Sequence, residues 1–177
     1  VVDVFAATTD EAARNLLGRL EAFAGERRGI VVVPRFVDTV PEDREALAAV
    51  AERHGFEPGA LPVVQACGVA IPEAREADAA LERLRAALRL EVYTRPACTH
   101  CAAAKAWLPK LQAEHPALEL VYRDITNDKQ ALADLVALVK KHRTKAASVP
   151  VFHLCDTMVV GFDRVETTGP RLEEALR

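Results

Sequence analysis

An apolar segment leads into a pair of cysteines at residues 90–101, Leu90-Glu91-Val92-Tyr93-Thr94-Arg95-Pro96-Ala97-Cys98-Thr99-His100-Cys101. The apolar residues over 90–94 predict a β-strand, and a helix is predicted over 101–114. Cys98 therefore falls where the helix begins, and the free N–H groups and dipole of a helix N-terminus stabilise a thiolate. A C-x-x-C between a strand and a helix is typical of a redox-active dithiol.

The spacing of the two cysteines assigns them different roles. Residues i and i+3 lie on one helix face, so Cys101 can attack a mixed disulfide formed on Cys98. We therefore predict that Cys98 is the attacking cysteine and Cys101 the resolving one. His100 between them would favour the Cys98 thiolate if its ring is cationic, or else is a solvated loop residue. Thr99 fills the turn or hydrogen-bonds a sulfur. A zinc half-site is the competing interpretation of the motif.

The chain repeats itself with an offset of 88 residues. Leu61-Pro62 aligns with Val149-Pro150, Cys67 with Cys155, and the same strand and helix pattern occurs in both halves. Strands that alternate with helices and end in a hairpin predict an α/β sandwich with a mixed sheet. We therefore predict two domains, 1–88 and 89–177, related by an internal repeat.

The first half lacks the cysteine pair. Asp10 and Ala13 occupy the two positions that align with Cys98 and Cys101, so domain 1–88 is predicted to be redox-inactive. The Val149-Pro150 pair admits two interpretations. A proline that opens a strand can simply mark a sheet edge, or it can be a cis-proline beside the dithiol that presents the preceding backbone to an extended substrate.

The second half resembles glutaredoxins and their thioredoxin-like relatives, from residue 90 to the end of the chain. The matching residues are the run 93–101, Ala104-Lys105, Trp107-Leu108, Ser148-Val149-Pro150 and Val159-Val160-Gly161-Phe162-Asp163. The resemblance implies a thioredoxin fold, a nucleophilic Cys98 and a cis-Pro150. It also implies a glutathione groove near Lys105, Val149, Gly161 and Asp163, and we expect Thr99 to bind substrate as well.

Two departures from the glutaredoxin pattern bear on the substrate. Glutaredoxins usually carry a Tyr at the position of His100 and a Gly pair at the position of Val160-Gly161. Glutathione is therefore only one candidate co-substrate, and a protein disulfide is the other. No metal or organic cofactor is expected, because the disulfide itself is the reacting group.

The tandem arrangement resembles protein disulfide oxidoreductases and the amino-terminal domain of alkyl hydroperoxide reductase flavoproteins. The segment 161–169 also resembles glutaredoxin-like parts of membrane thiol-electron carriers. The expected partners are a protein disulfide and a regenerating reductase or membrane thiol carrier. Three hypotheses follow: a general thiol–disulfide oxidoreductase, a dedicated electron-relay domain of a larger redox system, and a non-enzymatic or zinc-binding module.

The net charge and the hydropathy of the chain exclude two classes of partner. The formal net charge of −3 argues against a nucleic-acid partner, and no apolar run approaches the roughly 20 residues that span a bilayer. The chain starts without a signal-peptide pattern and without Met, so we expect a processed or excised piece. The compartment stays open between bacterial cytoplasm and periplasm, including the soluble part of a membrane protein.

Three further expectations concern the pair Cys67 and Cys155, Pro109 and the last helix. The two cysteines are either small apolar residues or partners in a disulfide, and the sequence does not decide between these roles. Pro109 is expected to kink or end the helix that follows the dithiol. A closing helix is predicted over 171–177.

Overall fold

The computed structural model describes residues 1–145 and 148–176. The chain divides into two compact units, Val1–Ala87 and Leu88–Arg177. The elements of the first unit are β1 (Val2–Ala6), α1 (Glu11–Glu26), β2 (Val32–Phe36), α2 (Pro41–His54), β3 (Val63–Ala66), β4 (Val69–Ile71) and α3 (Ala77–Ala87). Those of the second are β5 (Arg89–Thr94), α4 (Thr99–Glu114), β6 (Glu119–Asp124), α5 (Lys129–Lys141), β7 (Val151–Leu154), β8 (Thr157–Val160) and α6 (Val165–Ala175).

Each unit contains one four-stranded mixed sheet with the same topology. The strand order is β2-β1-β3-β4 in the first unit and β6-β5-β7-β8 in the second. The first strand of each unit pairs parallel to the second strand and antiparallel to the third. The predicted fold class is therefore confirmed: two α/β sheets related by the repeat, as expected for tandem thioredoxin-like folds.

Equivalent residues build the two cores. In the first unit Phe5, Leu47 and Val63 pack together between β1, β3 and α2. In the second unit the counterparts Tyr93, Leu135 and Val151 form the same cluster. Each unit thus has its own apolar core, and burial of that core is the main driving force for its folding.

A charged network in each unit links the central strand to its parallel neighbour. In the second unit Glu91 accepts hydrogen bonds from Arg123 (3.1 Å) and from the hydroxyl of Tyr93 (3.0 Å), and lies 3.7 Å from His153 Nδ1. The interaction with His153 is the largest cause that lowers the pKa of Glu91 to about 2. Burial and the neighbouring carboxylate raise the pKa of Tyr93. Asp3 and Arg35 form the equivalent pair in the first unit at 2.8 Å.

The structure corrects two expectations about where helices begin or end. Pro109 neither ends nor breaks α4, which continues to Glu114. The fully buried Leu108 and Leu111 hold this helix against the sheet, while Pro109 lies on its exposed face, where a carbonyl that loses its helical partner is open to solvent.

The closing helix begins six residues earlier than predicted, at Val165, and contains Pro170. Burial of Thr168, Gly169 and Leu172 keeps this segment helical despite the proline. Within residues 1–145 and 148–176, every helix is too short or too polar to cross a bilayer.

Candidate active site

The dithiol sits at the N-terminus of α4. Cys98 is the N-cap residue, with extended backbone (φ −108°, ψ 111°), and its Sγ accepts a hydrogen bond from the Cys101 N–H at 3.1 Å. The two cysteines form a disulfide, with their Cα atoms 5.2 Å apart. Cys101 is only 2 % exposed, whereas Cys98 is half-buried. Cys98 therefore presents the sulfur that an external group can reach.

The equivalent helix of the first unit has a carboxylate at the same cap position. Asp10 Oδ1 accepts hydrogen bonds from the N–H groups of Ala12 (2.9 Å) and Ala13 (3.2 Å). The helix N-terminus thus holds an anion in one unit and a sulfur in the other, as its free N–H groups and dipole favour. Ala13, which aligns with Cys101, is buried to the same 2 % exposure.

The loop before β7 approaches the disulfide from the side. The Val149–Pro150 peptide bond is cis, and the carbonyl oxygen of Val149 lies 3.7 Å from Cys98 Sγ. The carbonyl of Pro150 accepts a hydrogen bond from the Gly161 N–H at 2.8 Å. The Leu61–Pro62 bond of the first unit is cis as well. The backbone geometry is therefore repeated in both units, whereas the sulfurs are present at only one of them.

His100 is anchored through one ring nitrogen. Nδ1 lies 2.9 Å from the carbonyl oxygen of Phe162, and because a carbonyl only accepts, Nδ1 carries the hydrogen. Nε2 is then the atom that gains a proton when the ring becomes cationic. Phe162 itself is buried and packs against Trp107 and Phe152, with ring centroids 5.8 Å and 6.2 Å apart. The imidazole is thus held at the helix N-terminus by a rigid neighbour.

A groove of about 570 Å³ opens beside the disulfide. Its floor comes from the α4 N-terminus and the loop before β7, and its far wall from α5. The lining residues are Arg95, Ala97, Cys98, Thr99, His100, Ile125, Leu132, Leu135, Val136, Val139, Lys140, Ser148 and Val149. The wall offers apolar surface to the groove, because Leu132 and Val136 remain 46 % and 54 % exposed. Arg95 and Lys140, the only charged residues among those named, are both cationic.

A second groove of about 410 Å³ lies on the other side of Cys98 and includes Lys105. The Lys105 ammonium sits 5.4 Å from the centre of the Tyr122 ring, a cation–π distance. The expected substrate-binding residues are therefore divided. Val149 lines the larger groove, Lys105 the smaller and Thr99 both, whereas Gly161 and Asp163 line neither of these two.

The last two residues have other surroundings. Gly161 adopts φ 84°, a conformation that favours glycine. Its N–H already donates a hydrogen bond to the carbonyl of Pro150. Asp163 is exposed beyond the end of β8. Their contribution to substrate binding stays a prediction.

The apolar wall on α5 was missed by sequence reasoning, although a signal for it existed. The helical pattern alone does not separate the buried face of α5 from the exposed one. Comparison across the repeat separates the two faces, because Leu132 and Val136 align with the exposed Arg44 and Ala48 of α2. Large apolar side chains at positions that are exposed in the other copy of a repeat indicate a surface that could bind another molecule.

Comparisons with known proteins give one family match and several similar structures. Residues 90–152 match the Glutaredoxin family model. The buckwheat glutaredoxin–glutathione complex is 17% identical with a TM-score of 0.37, over 56% of this chain and 88% of that one. The alkylhydroperoxide reductase protein AhpF of Enterococcus faecalis is 18% identical with a TM-score of 0.33, over 99% of this chain and 90% of that one.

A structure of the NTD_N/C domain of the same Enterococcus protein is also 18% identical, with a TM-score of 0.34 over 99% of this chain and 90% of that one. No curated protein matches the chain. Residues 90–152, which include the C-x-x-C at the start of α4, thus form a glutaredoxin-like segment within the second unit, and the strand order of that unit is the one expected for a thioredoxin-like fold.

Proposed function

We propose that this protein is a thiol–disulfide oxidoreductase that acts through Cys98 and Cys101. The observation that carries the proposal is a disulfide between a reachable sulfur at a helix N-cap and a buried sulfur three residues later. This asymmetry matches an attacking and a resolving cysteine. The groove beside Cys98 supplies room for the molecule that reacts with it.

The exchange proceeds in two steps when the protein acts as a reductant. The Cys98 thiolate attacks one sulfur of a substrate disulfide, forms a mixed disulfide and releases the other sulfur as a thiolate that takes up a proton. Cys101 then loses its proton and attacks Cys98 Sγ, which forms the Cys98–Cys101 disulfide and releases the second substrate thiol. Two electrons move from the protein to the substrate. The same steps in reverse oxidise a substrate dithiol.

The surroundings of Cys98 favour the thiolate that the first step needs. The Cys101 N–H points at the Cys98 sulfur, and the helix dipole adds positive potential there. His100 adds a full positive charge whenever Nε2 is protonated. These interactions are stronger with a thiolate than with a disulfide, so they stabilise the reduced pair and raise its reduction potential.

The larger groove favours a polypeptide disulfide as the substrate. Its exposed Leu132 and Val136 can bury apolar side chains of a substrate, and burial of such surface contributes roughly 25 cal/mol per Å². Arg95 and Lys140 add positive charge at its edges. A small, polar disulfide such as oxidised glutathione uses the cations but gains little from the apolar wall.

Each turnover leaves the Cys98–Cys101 pair in the opposite redox state, so a second partner must restore it. We assign that role to a separate dithiol or disulfide protein, such as a reductase or a membrane thiol carrier. A general oxidoreductase accepts many protein disulfides, whereas a dedicated relay reacts quickly with one partner and ignores insulin. Rates measured with reduced insulin chains, intact insulin and a candidate partner separate these two forms of the proposal.

The two cysteines provide a matched pair of variants for the main test. Cys101→Ser should retain attack but lose release, and so accumulate a mixed disulfide with a protein substrate on non-reducing gels. Cys98→Ser should trap nothing and lose all reductase activity. Equal behaviour of the two variants, or unchanged activity in Cys98→Ser, would refute the assignment of roles.

The reduction potential of the pair decides the direction of electron flow. Equilibration in glutathione or dithiothreitol buffers, followed by thiol alkylation and mass measurement, gives this value. A potential near −270 mV, roughly that of thioredoxin, supports a reductant or relay. A potential near −120 mV, roughly that of a strong oxidant, supports oxidation of substrates.

A further inference from the structure

A cluster of metal-ligating side chains lies in the second unit, away from the dithiol. It consists of His142, His153 and Asp156, and one nitrogen or oxygen atom of each lies within 4.8 Å of the others. Pro150 opens the strand that carries His153, and at about 3.3 Å per residue the two positions are roughly 10 Å apart. The proposed exchange reaction uses none of the three side chains.

The fold brings these residues together from three elements. His142 is the C-cap of α5, and its N–H donates to the carbonyl of Leu138. His153 lies in β7, directly opposite Glu91 of β5. Asp156 occupies the two-residue turn between β7 and β8, where both Cys155 and Asp156 have positive φ (50° and 57°).

Both histidines have a buried ring nitrogen without a partner. Nε2 of His142 and Nε2 of His153 are shielded from solvent and find no hydrogen-bond partner among the described residues. Leaving such a group unsatisfied opposes folding. A metal ion is one partner that could satisfy both imidazoles, whose ring centroids are 5.9 Å apart. The carboxylate oxygen Asp156 Oδ1 is 4.0 Å from His142 Nε2, beyond a hydrogen bond but within reach of a shared ion.

The second nitrogen of His153 faces a carboxylate. Nδ1 lies 3.7 Å from Glu91 Oε2, and Glu91 is itself held by Arg123 and Tyr93. Metal-ligating histidines commonly direct their other N–H to a carboxylate, which orients the ring and makes the ligating nitrogen more basic. Glu91 is therefore placed to act as the orienting group behind His153.

The internal repeat shows what the same framework looks like without the cluster. The aligned residues of the first unit are His54, Gln65 and Gly68, so only one of the three ligands is kept. Gly68 has φ 65° in the equivalent turn, a left-handed conformation that glycine adopts without steric cost. The second unit carries Asp156 in this left-handed position instead, which gives the turn a carboxylate that its counterpart lacks.

We propose that His142, His153 and Asp156 form a binding site for a divalent transition metal, with Zn²⁺ as the favoured ion. Two imidazole nitrogens and one carboxylate oxygen are a donor set that zinc accepts. Zinc–ligand distances near 2.0–2.2 Å place tetrahedral ligands about 3.4 Å apart. Closing the cluster from separations of at most 4.8 Å thus requires side-chain shifts of roughly 1 Å.

Binding of the ion has to displace one existing interaction. Lys141 Nζ forms an ion pair with Asp156 Oδ1, and both side chains are more than half exposed. Exposed pairs of this kind contribute little to stability, so the ammonium can turn into solvent at small cost. Three protein ligands leave a fourth position for water. The bound ion would tie the end of α5 to the β7–β8 hairpin.

Zinc titration of the full chain tests the proposal. The Cys98–Cys101 disulfide is kept closed, so that those sulfurs cannot bind metal, and affinity is measured in competition with a chromogenic chelator. We expect one equivalent of Zn²⁺ per chain and a rise in the thermal midpoint with added zinc. Co²⁺ in place of Zn²⁺ should give the visible absorption of a tetrahedral nitrogen and oxygen site.

The repeat supplies both the variants and the control. His153→Gln and Asp156→Gly copy the residues of the first unit, which that fold accommodates, and each should lower zinc affinity at least tenfold. His142→Gln should do the same, whereas His54→Gln at the equivalent helix end should leave the affinity unchanged. Absence of binding at micromolar zinc, or equal affinity in His153→Gln, Asp156→Gly and the parent chain, would overturn the site.

Discussion

His100 is the single side chain for which we propose an effect on the redox balance of the dithiol. Its Nδ1 is held by the carbonyl of Phe162, so the ring keeps its place at the helix N-terminus in either protonation state. If Nε2 also carries a proton, we expect the cationic ring to act on the Cys98 sulfur in the same direction as the helix dipole. The two effects have the same sign, since both favour the thiolate over the disulfide.

Removing the imidazole should therefore make the pair more reducing. We expect His100→Ala to lower the reduction potential by about 30 mV, which corresponds to roughly 1.4 kcal/mol for a two-electron couple. The potential is read in a glutathione redox buffer by alkylation of the free thiols. His115→Ala, which removes an imidazole at the opposite end of α4, is the matched control and should shift it far less. An unchanged potential in His100→Ala would mean that the ring is merely solvated.

Gly169 is a second position where one residue has a clear physical role. A Cβ added there would lie 3.2 Å from the Trp107 ring, which is tighter than ordinary contact. We expect Gly169→Val to lower the free energy of unfolding by about 1–3 kcal/mol through overpacking. Denaturant unfolding followed by Trp107 fluorescence measures this loss. Gly18→Val, in a helical position with open space, should not destabilise its unit in the same way.

Helix α5 packs on the core with one face and lines the larger groove with another. Only the first of these two faces could be predicted from the sequence. Its buried face follows the helical period, so the element itself was predicted from the sequence. The outward Leu132 and Val136 were not recognised, because a single sequence does not tell which apolar residues a neighbour covers. Pro109 and α6 were mispredicted for a related reason: tertiary packing of Leu108, Leu111 and Gly169 outweighed the local preference of proline.

The apolar wall of the larger groove should matter for large substrates only. We expect Val136→Lys to lower kcat/KM for a protein disulfide about tenfold, which is roughly 1.4 kcal/mol of transition-state binding. The rate with a small aromatic disulfide should stay unchanged, because Cys98 is untouched. Ala48→Lys, at the equivalent exposed position of α2, is the matched control. Equal losses with both substrates would show that the wall does not bind polypeptide.

On the scale of the whole molecule, the two units share the backbone framework, whereas only the second unit carries the redox-active cysteine pair. Sheet topology, the cis peptide bonds at Pro62 and Pro150, and the helix that begins after Asp10 or Cys98 are present in both units. The sulfurs belong to one unit only. The repeat and the fold class were readable from the sequence, since they depend on many weak matches at a constant offset. The exposed groove and the histidine cluster depend on side-chain positions that only the structure supplies.

The shared framework makes a second dithiol possible in the first unit. We expect the double variant Asp10→Cys, Ala13→Cys to form a disulfide in an oxidising buffer, because Ala13 is buried like Cys101 and Asp10 occupies the same cap position as Cys98. Loss of the Asp10 cap should cost about 1 kcal/mol of stability. Thiol counts by mass spectrometry, before and after mild reduction, provide the measurement. Two persistently free thiols would show that the first unit lacks the required geometry.

We expect the unequal exposure of Cys98 and Cys101 to protect the protein against peroxide as well. Hydrogen peroxide should convert the reachable Cys98 thiolate to a sulfenic acid, with water as the other product. Cys101 lies three residues further along the helix and is shielded from the oxidant by its burial. Its thiol should condense with the sulfenic acid, which restores the disulfide and releases a second water. The damage thus ends in a normal state of the reaction cycle. With Cys101→Ser this repair is lost, and mass spectrometry should then detect the irreversible sulfinic and sulfonic acids on Cys98.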